Sequence, residues 1–150
     1  MKRSAVRELA IRLCYSAELA EHENAEFITD FFSDEQYATL AAEDELFHEM
    51  PNEGDLKYIR SLVQLVFDHK TELDETIQQL ARGWSLSRIS KISLAIMRCA
   101  LSEIQFMDEV PEKVAINEAV EIAKKYEEPE TVSFINGVLG SFVRAGQENA

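Results

Sequence analysis

Apolar side chains recur along this chain at the three-to-four-residue spacing of helices, and no segment alternates at the two-residue period of a strand. Val6, Leu9, Ala10, Leu13 and Ala17 mark one buried stripe and predict a helix over about 3–21. At roughly 100° per residue, Arg3 and Arg7 fall on one flank of that stripe while Arg12 faces away. An apolar cluster of Phe27, Ile28, Phe31 and Phe32 follows. Tyr37, Leu40, Ala41, Leu46 and Phe47 form a second, with Ser33-Asp34 as a helix start between them. Met50 to Asp55, MPNEGD, reads as a loop.

Beyond that loop, Ile59, Leu62, Val63, Val66 and Phe67 predict a helix over about 56–69. Leu73, Ile77 and Leu80 predict a shorter one over about 71–82, ended by Gly83. Between 87 and 107 the helical wheel is apolar around more than half its circumference, as expected of a helix surrounded by others. Pro111 is placed at the first position of the next helix, about 111–126, with Glu112 favouring its dipole. A last helix is predicted over about 131–144. Asn136-Gly137 inside it is a hairpin dipeptide, but arms of two or three residues with no third strand would not be stable. The segment therefore reads as helix, with Gly137 allowing close backbone approach. The resulting fold class is all-α, in one domain over 1–150.

Charge changes this picture in one place. The net charge is −13. Residues 1–20 sum to +2 and residues 56–150 to −3, whereas residues 21–55 carry twelve acidic side chains and no Lys or Arg. The acidity is thus confined to an acidic segment, 21–55, which serves either as a solvated face or as a docking face for a basic partner. Phosphates must be met by clustered Lys and Arg, and only the rest of the chain offers a locally positive corner. No apolar run approaches the ~18–20 residues that cross a bilayer. The N-terminus has no signal-peptide apolar region, and Cys14 and Cys99 read as core thiols of a reducing compartment. Together these place the chain in the cytoplasm.

Catalytic chemistry is looked for and not found. Glu45-x-x-His48 is half of a di-iron bundle motif whose second half is missing, and His22 and His69 add no ligand set. There is no HExxH, no glycine-rich phosphate loop and no GxSxG. The expectation is a protein that is not an enzyme and uses no metal or cofactor. Two carboxylates stand out instead. Glu103 lies inside the apolar arc of the central helix, and Glu118 lies at the apolar edge of the next one. Each needs a partner: either an internal one, such as Arg98 or a backbone amide, or a protein that fills a groove beside it. Phe134 and Tyr15, near helix ends, are either core aromatics or platforms for an unpaired base.

VPEKVAINEAVEIAKKY (Val110 to Tyr126) followed by SFINGVLGSFV (Ser133 to Val143) resembles the signature of the NusB family of transcription antitermination factors. ISLAIMRCALSEI (Ile92 to Ile104) and RELAIRLCYSAEL (Arg7 to Leu19) are similar to that family's preceding and first helices. The resemblance covers about 1–20 and 56–145. It implies about seven helices in two subdomains and a non-catalytic adaptor. Such an adaptor pairs with the small-subunit ribosomal protein NusE, grips boxA single-stranded RNA and joins the RNA polymerase elongation complex with other Nus factors. By position, Lys2, Arg3, Arg7 and Phe134 match the family's RNA contacts, while Tyr15, Glu103 and Glu118 fall at or beside its protein partner. The same fold opens a ribosomal RNA cytosine methyltransferase, whose catalytic part 150 residues leave no room for.

The chain departs from the family pattern in its sparser arginines, with Ser4, Ala5 and Glu8 at neighbouring positions, and in a longer acidic stretch. Fewer cations lower salt-dependent RNA affinity, so weak RNA binding by the lone protein is expected. A divergent protein-binding module that has given up RNA, and a homodimer that hides the RNA surface, stand as alternatives.

Overall fold

The computed structural model describes residues 1–22, 24–32 and 34–148. Among them are seven α-helices: α1 (Arg3–Leu19), α2 (Phe27–Phe31), α3 (Asp34–Glu43), α4 (Glu53–Leu80), α5 (Lys91–Phe106), α6 (Glu112–Tyr126) and α7 (Pro129–Glu148). Single 3-10 turns occupy Glu45–Phe47 and Leu86–Arg88, and no strand occurs among the described residues. Ser33 and the side chains of Leu40 and Phe47, assigned above to a cap and an apolar cluster, lie outside the described residues.

α5 is the pillar. Every residue from Ser93 to Glu103 is buried, with α4, α1, α6 and α7 packed around it. Leu9, Leu13, Leu62, Ile77, Met97 and Leu101 are among the side chains withdrawn completely from solvent. Each such side chain contributes ~1.5–3 kcal/mol relative to exposure. Cys14 and Cys99 meet in this core, Sγ to Sγ 3.8 Å, both as free thiols.

Several expectations are corrected. The helix read over 87–107 begins at Lys91, behind a Ser90 cap, and the loop read over Met50 to Asp55 gives its last three residues to the next helix. The two helices predicted over 56–69 and 71–82 are one 28-residue helix, α4. Its buried stripe runs through Ile59, Leu62, Val63, Val66, Leu73 and Ile77 without a change of face, and no Gly or Pro falls between Gly54 and Gly83 to break it. The start is set by a capping box, in which the Asn52 side chain accepts from Asp55 N (2.8 Å) and Asp55 accepts from Asn52 N (3.0 Å). Its end precedes Gly83, at φ +81°. Pro111 caps α6 from outside, in extended conformation, and does not occupy its first turn. α7 begins at Pro129 and reaches Glu148, longer at both ends than predicted. Gly137 is helical, but a Cβ built there would meet nothing within 4 Å, so no close backbone approach explains it.

The described residues of the acidic segment are tied to the helical body at several points. Ile28, Phe32 and Tyr37 are buried. Tyr37 donates to the Glu49 carbonyl at 2.7 Å, and Arg12 on α1 pairs with Asp44 at 2.6 Å. A backbone hydrogen bond from Leu46, reinforced by Arg12, holds the Asp44 carboxyl below its ordinary range.

Candidate nucleic-acid interface

The start of α1 has no side-chain cap, and Lys2 stands just outside it, exposed. A cation at a helix start is opposed by the dipole, so something else must hold this corner together. That something is a chain of side chains through three helices. The Arg3 guanidinium lies over the Tyr58 ring on α4, 3.9 Å from its centroid. The Tyr58 phenol donates to Glu103 on α5. Arg7 Nε donates to the same carboxylate oxygen, Oε2, at 2.8 Å.

Arg7 and Glu103 are both buried. Burial works against the Arg7 charge, but the hydrogen bond and charge of Glu103, with Tyr58 and Glu118 behind them, outweigh it. The guanidinium is held above its ordinary range. Burial first, and then the hydrogen bond to Glu103, pushes the Tyr58 phenol up as well. Glu118 on α6, half-buried, accepts from Ser4 Oγ at 3.0 Å and lies 3.8 Å from Arg7 Nη1.

The structure therefore brings Arg3, Arg7, Glu103 and Glu118 into one network and leaves Lys2 and Arg3 as its solvent-facing cations. Arg7, read as a surface contact, faces inward. Glu103 finds its partner in Arg7 rather than in Arg98. Arg98 instead binds Asp74 (2.7 Å) and Glu18 (2.8 Å), tying α5 to α4 and α1. Nearby, Glu8 is buried and accepts from Lys125 (2.7 Å) and Tyr126 (2.6 Å), fastening α1 to α6. Tyr15 is half-buried, packed against the core on α1.

Phe134 is not part of this corner. It sits early in α7 against Trp84, ring centroids 5.6 Å apart and nearly edge-on at 68°. The cleft there also takes in Ser93, ten residues and about 15 Å of helix rise before Glu103. Sequence reasoning missed Trp84 and Tyr58. A lone Trp beside Gly83 was the available signal for the first. Tyr58 sits off the buried stripe of α4, which shows exposure but not what the ring supports. Among the described residues no three His, Cys, Asp or Glu side chains converge as metal ligands, and no helix is long and apolar enough to cross a membrane.

The NusB family profile matches residues 4–144. The transcription antitermination protein NusB of Acetivibrio thermocellus is 43% identical over 144 residues, covering 96% of this chain and 90% of that protein. Its counterpart in Agathobacter rectalis is 39% identical over 142 residues, with 95% and 99% covered. The solved structure of T. maritima NusB superposes with a TM-score of 0.72 at 21% identity, covering 96% of this chain and 92% of that one. The helical scaffold and the relatives agree: this chain belongs to the NusB family of non-catalytic transcription antitermination factors.

Proposed function

We propose that this protein is a cytoplasmic antitermination adaptor. In this reading it pairs with the small-subunit ribosomal protein NusE, binds boxA-type single-stranded RNA and joins the transcribing RNA polymerase with other Nus factors. Lys2 and Arg3 take RNA phosphates, Phe134 meets a base, and Arg7 acts from within as the residue that positions the corner. Tyr15 and Glu118 lie toward the protein partner, with Glu103 behind them as the buried anchor.

The observation that carries the reading is Arg3 laid on Tyr58, itself pinned by Glu103 and Arg7. A cation held in place by a buried network loses little freedom on meeting a phosphate. The test is electrophoretic mobility of boxA RNA with the protein, with and without NusE, across a salt series. Two phosphates on a single strand correspond to a log–log salt slope of about −1.4. Weak, salt-sensitive binding that strengthens with NusE and is lost in Arg3→Ala supports the adaptor. Binding indifferent to salt and to Arg3→Ala overturns it.

Two observations favour a second reading. Arg7 is consumed internally and the chain carries −13 overall, so a module that binds only protein is a coherent alternative. It predicts a NusE complex with no RNA affinity of its own.

A further inference from the structure

α5 ends on an aromatic ring that the core does not take in. Phe106, in its last turn, keeps 38% of its surface open to solvent, although a large apolar ring ordinarily withdraws from water. It is stacked on the His69 ring of α4, with centroids 4.1 Å apart and planes 19° from parallel. His69 is in turn placed beside Glu72, Nδ1 to Oε2 3.4 Å. One face of Phe106 is thereby covered by its own chain, and the rest of the ring is left as a platform.

The turn that follows is braced and acidic. Met107 and Val110 are buried, and Val110 N donates to the Met107 carbonyl at 3.0 Å. Asp108, Glu109 and Glu112 are exposed, and their carboxylates make no ion pair or hydrogen bond among the described residues. Glu112 has the dipole of α6 in its favour. Asp108 and Glu109 lie just beyond the C-terminus of α5, the end at which the dipole disfavours an anion. Val114, in the first turn of α6, adds a second exposed apolar side chain. Lys113 is the one base between Gln105 and Glu118.

We infer that the α5–α6 turn is a docking site for a basic protein segment, which lays an arginine on the open part of Phe106 and an apolar neighbour against Val114. Charge selects the occupant. Carboxylates around an aromatic ring draw a cation onto it, and the ring quadrupole acts in the same sense. The same carboxylates repel phosphates, which keeps RNA away from this end. They also face a second copy poorly, since this chain carries −13. Arginine suits the place better than lysine, because its flat, weakly hydrated head stacks on a ring while donating to a carboxylate. A turn already fixed by Met107 and Val110 loses little freedom on docking. None of the residues assigned above to RNA or to NusE takes part.

Amide chemical shifts of the full-length, isotope-labelled protein report where a ligand lands. The probes are a synthetic peptide of alternating arginine and leucine and its citrulline counterpart, which keeps the shape of arginine without the charge. The expected result is salt-sensitive shifts centred on Gln105 to Val114 and on His69 with the arginine peptide, and none with citrulline. Phe106→Leu should weaken binding at the turn about fivefold, and Asp108→Asn with Glu109→Gln about threefold, whereas Phe106→Tyr should retain it. Circular dichroism checks that each variant is folded, and boxA affinity should be the same in all of them. Shifts confined to the acidic segment, or a turn indifferent to Phe106→Leu and to the carboxylate variant, overturn the site. A loss of RNA affinity in Phe106→Leu overturns it by joining the turn to the RNA corner. Self-association by light scattering that Phe106→Leu abolishes overturns it in favour of a second copy.

Discussion

Arg7 on α1 and Glu103 on α5 are 96 residues apart in sequence and 2.8 Å apart in space, and both are buried. Neither charge survives well alone. Removing one partner leaves the other desolvated and uncompensated, which costs ~3–5 kcal/mol, whereas replacing both by apolar groups is often close to neutral. Glu103→Leu should therefore lower the denaturation midpoint sharply, and Arg7→Met combined with Glu103→Leu should recover most of the loss. Urea unfolding of the two variants decides it; a single variant as stable as the parent would show that the pair does not hold α1 to α5.

Tyr58 has two separable jobs, a ring beneath Arg3 and a phenol on Glu103. Tyr58→Phe keeps the first and removes the second. It should cost ~1.5–3 kcal/mol, the range for a hydrogen bond to a charged group, with RNA affinity preserved. Tyr58→Ala removes both and should lower stability and RNA affinity together. Comparing thermal midpoints with RNA titrations separates the two roles.

Gly137 stands within α7 with open space where a side chain would project. Gly137→Ala should stabilise the protein by about 0.4–1 kcal/mol, because alanine restricts the unfolded chain and fits the helix. Calorimetry checks the sign. A loss would mean that something covers this position in solution.

The Cys14–Cys99 pair should be inert. Its hydrogen bond, together with burial, holds the Cys99 thiol well above its ordinary range, and the thiolate is the reactive form. Alkylation of the native protein should be slow and should accelerate only when denaturant unfolds it. Rapid labelling under native conditions would contradict the packing of α1 on α5.

Alkaline stability follows from three tyrosines. Burial pushes Tyr37 up to about 12, with the Glu49 charge adding to it. Burial, then hydrogen bonds to Glu103 and Glu8, raises Tyr58 and Tyr126 above the ordinary value of 10.0. A group raised on folding contributes stability that is complete below its unfolded value and is lost as pH climbs through the folded one. The thermal midpoint should thus be flat to about pH 10 and fall beyond it, with phenolate absorbance of these three appearing alongside loss of helical dichroism. Ionisation near 10 in an intact fold would show that the phenols are not enclosed.

Much of the architecture was readable from spacing. The stripes on α1, α4 and α5, the stop at Gly83 and the enclosure of α5 each follow from side chains three or four apart. The joint predicted near Lys70 was an error of segmentation. A polar interval there imitates a boundary, although Val66, Leu73 and Ile77 stay in phase across it. Pairing was the harder matter. A helical wheel shows that Glu103 points into an apolar arc, but the crossing of α1 over α5 selects Arg7 over Arg98, and no local pattern encodes that crossing. The same holds for Trp84, whose ring meets that of Phe134, fifty residues away.

Because α4 is one unbroken rod, it works as a caliper. Tyr58 near its start and Gln78 near its end are twenty residues apart, which at the helical rise sets ~30 Å between the place where Arg3 rests and the loop that displays Trp84. Any single ligand touching both ends would have to span that length, so a contact made at one end leaves the other out of its reach unless the ligand is at least as long.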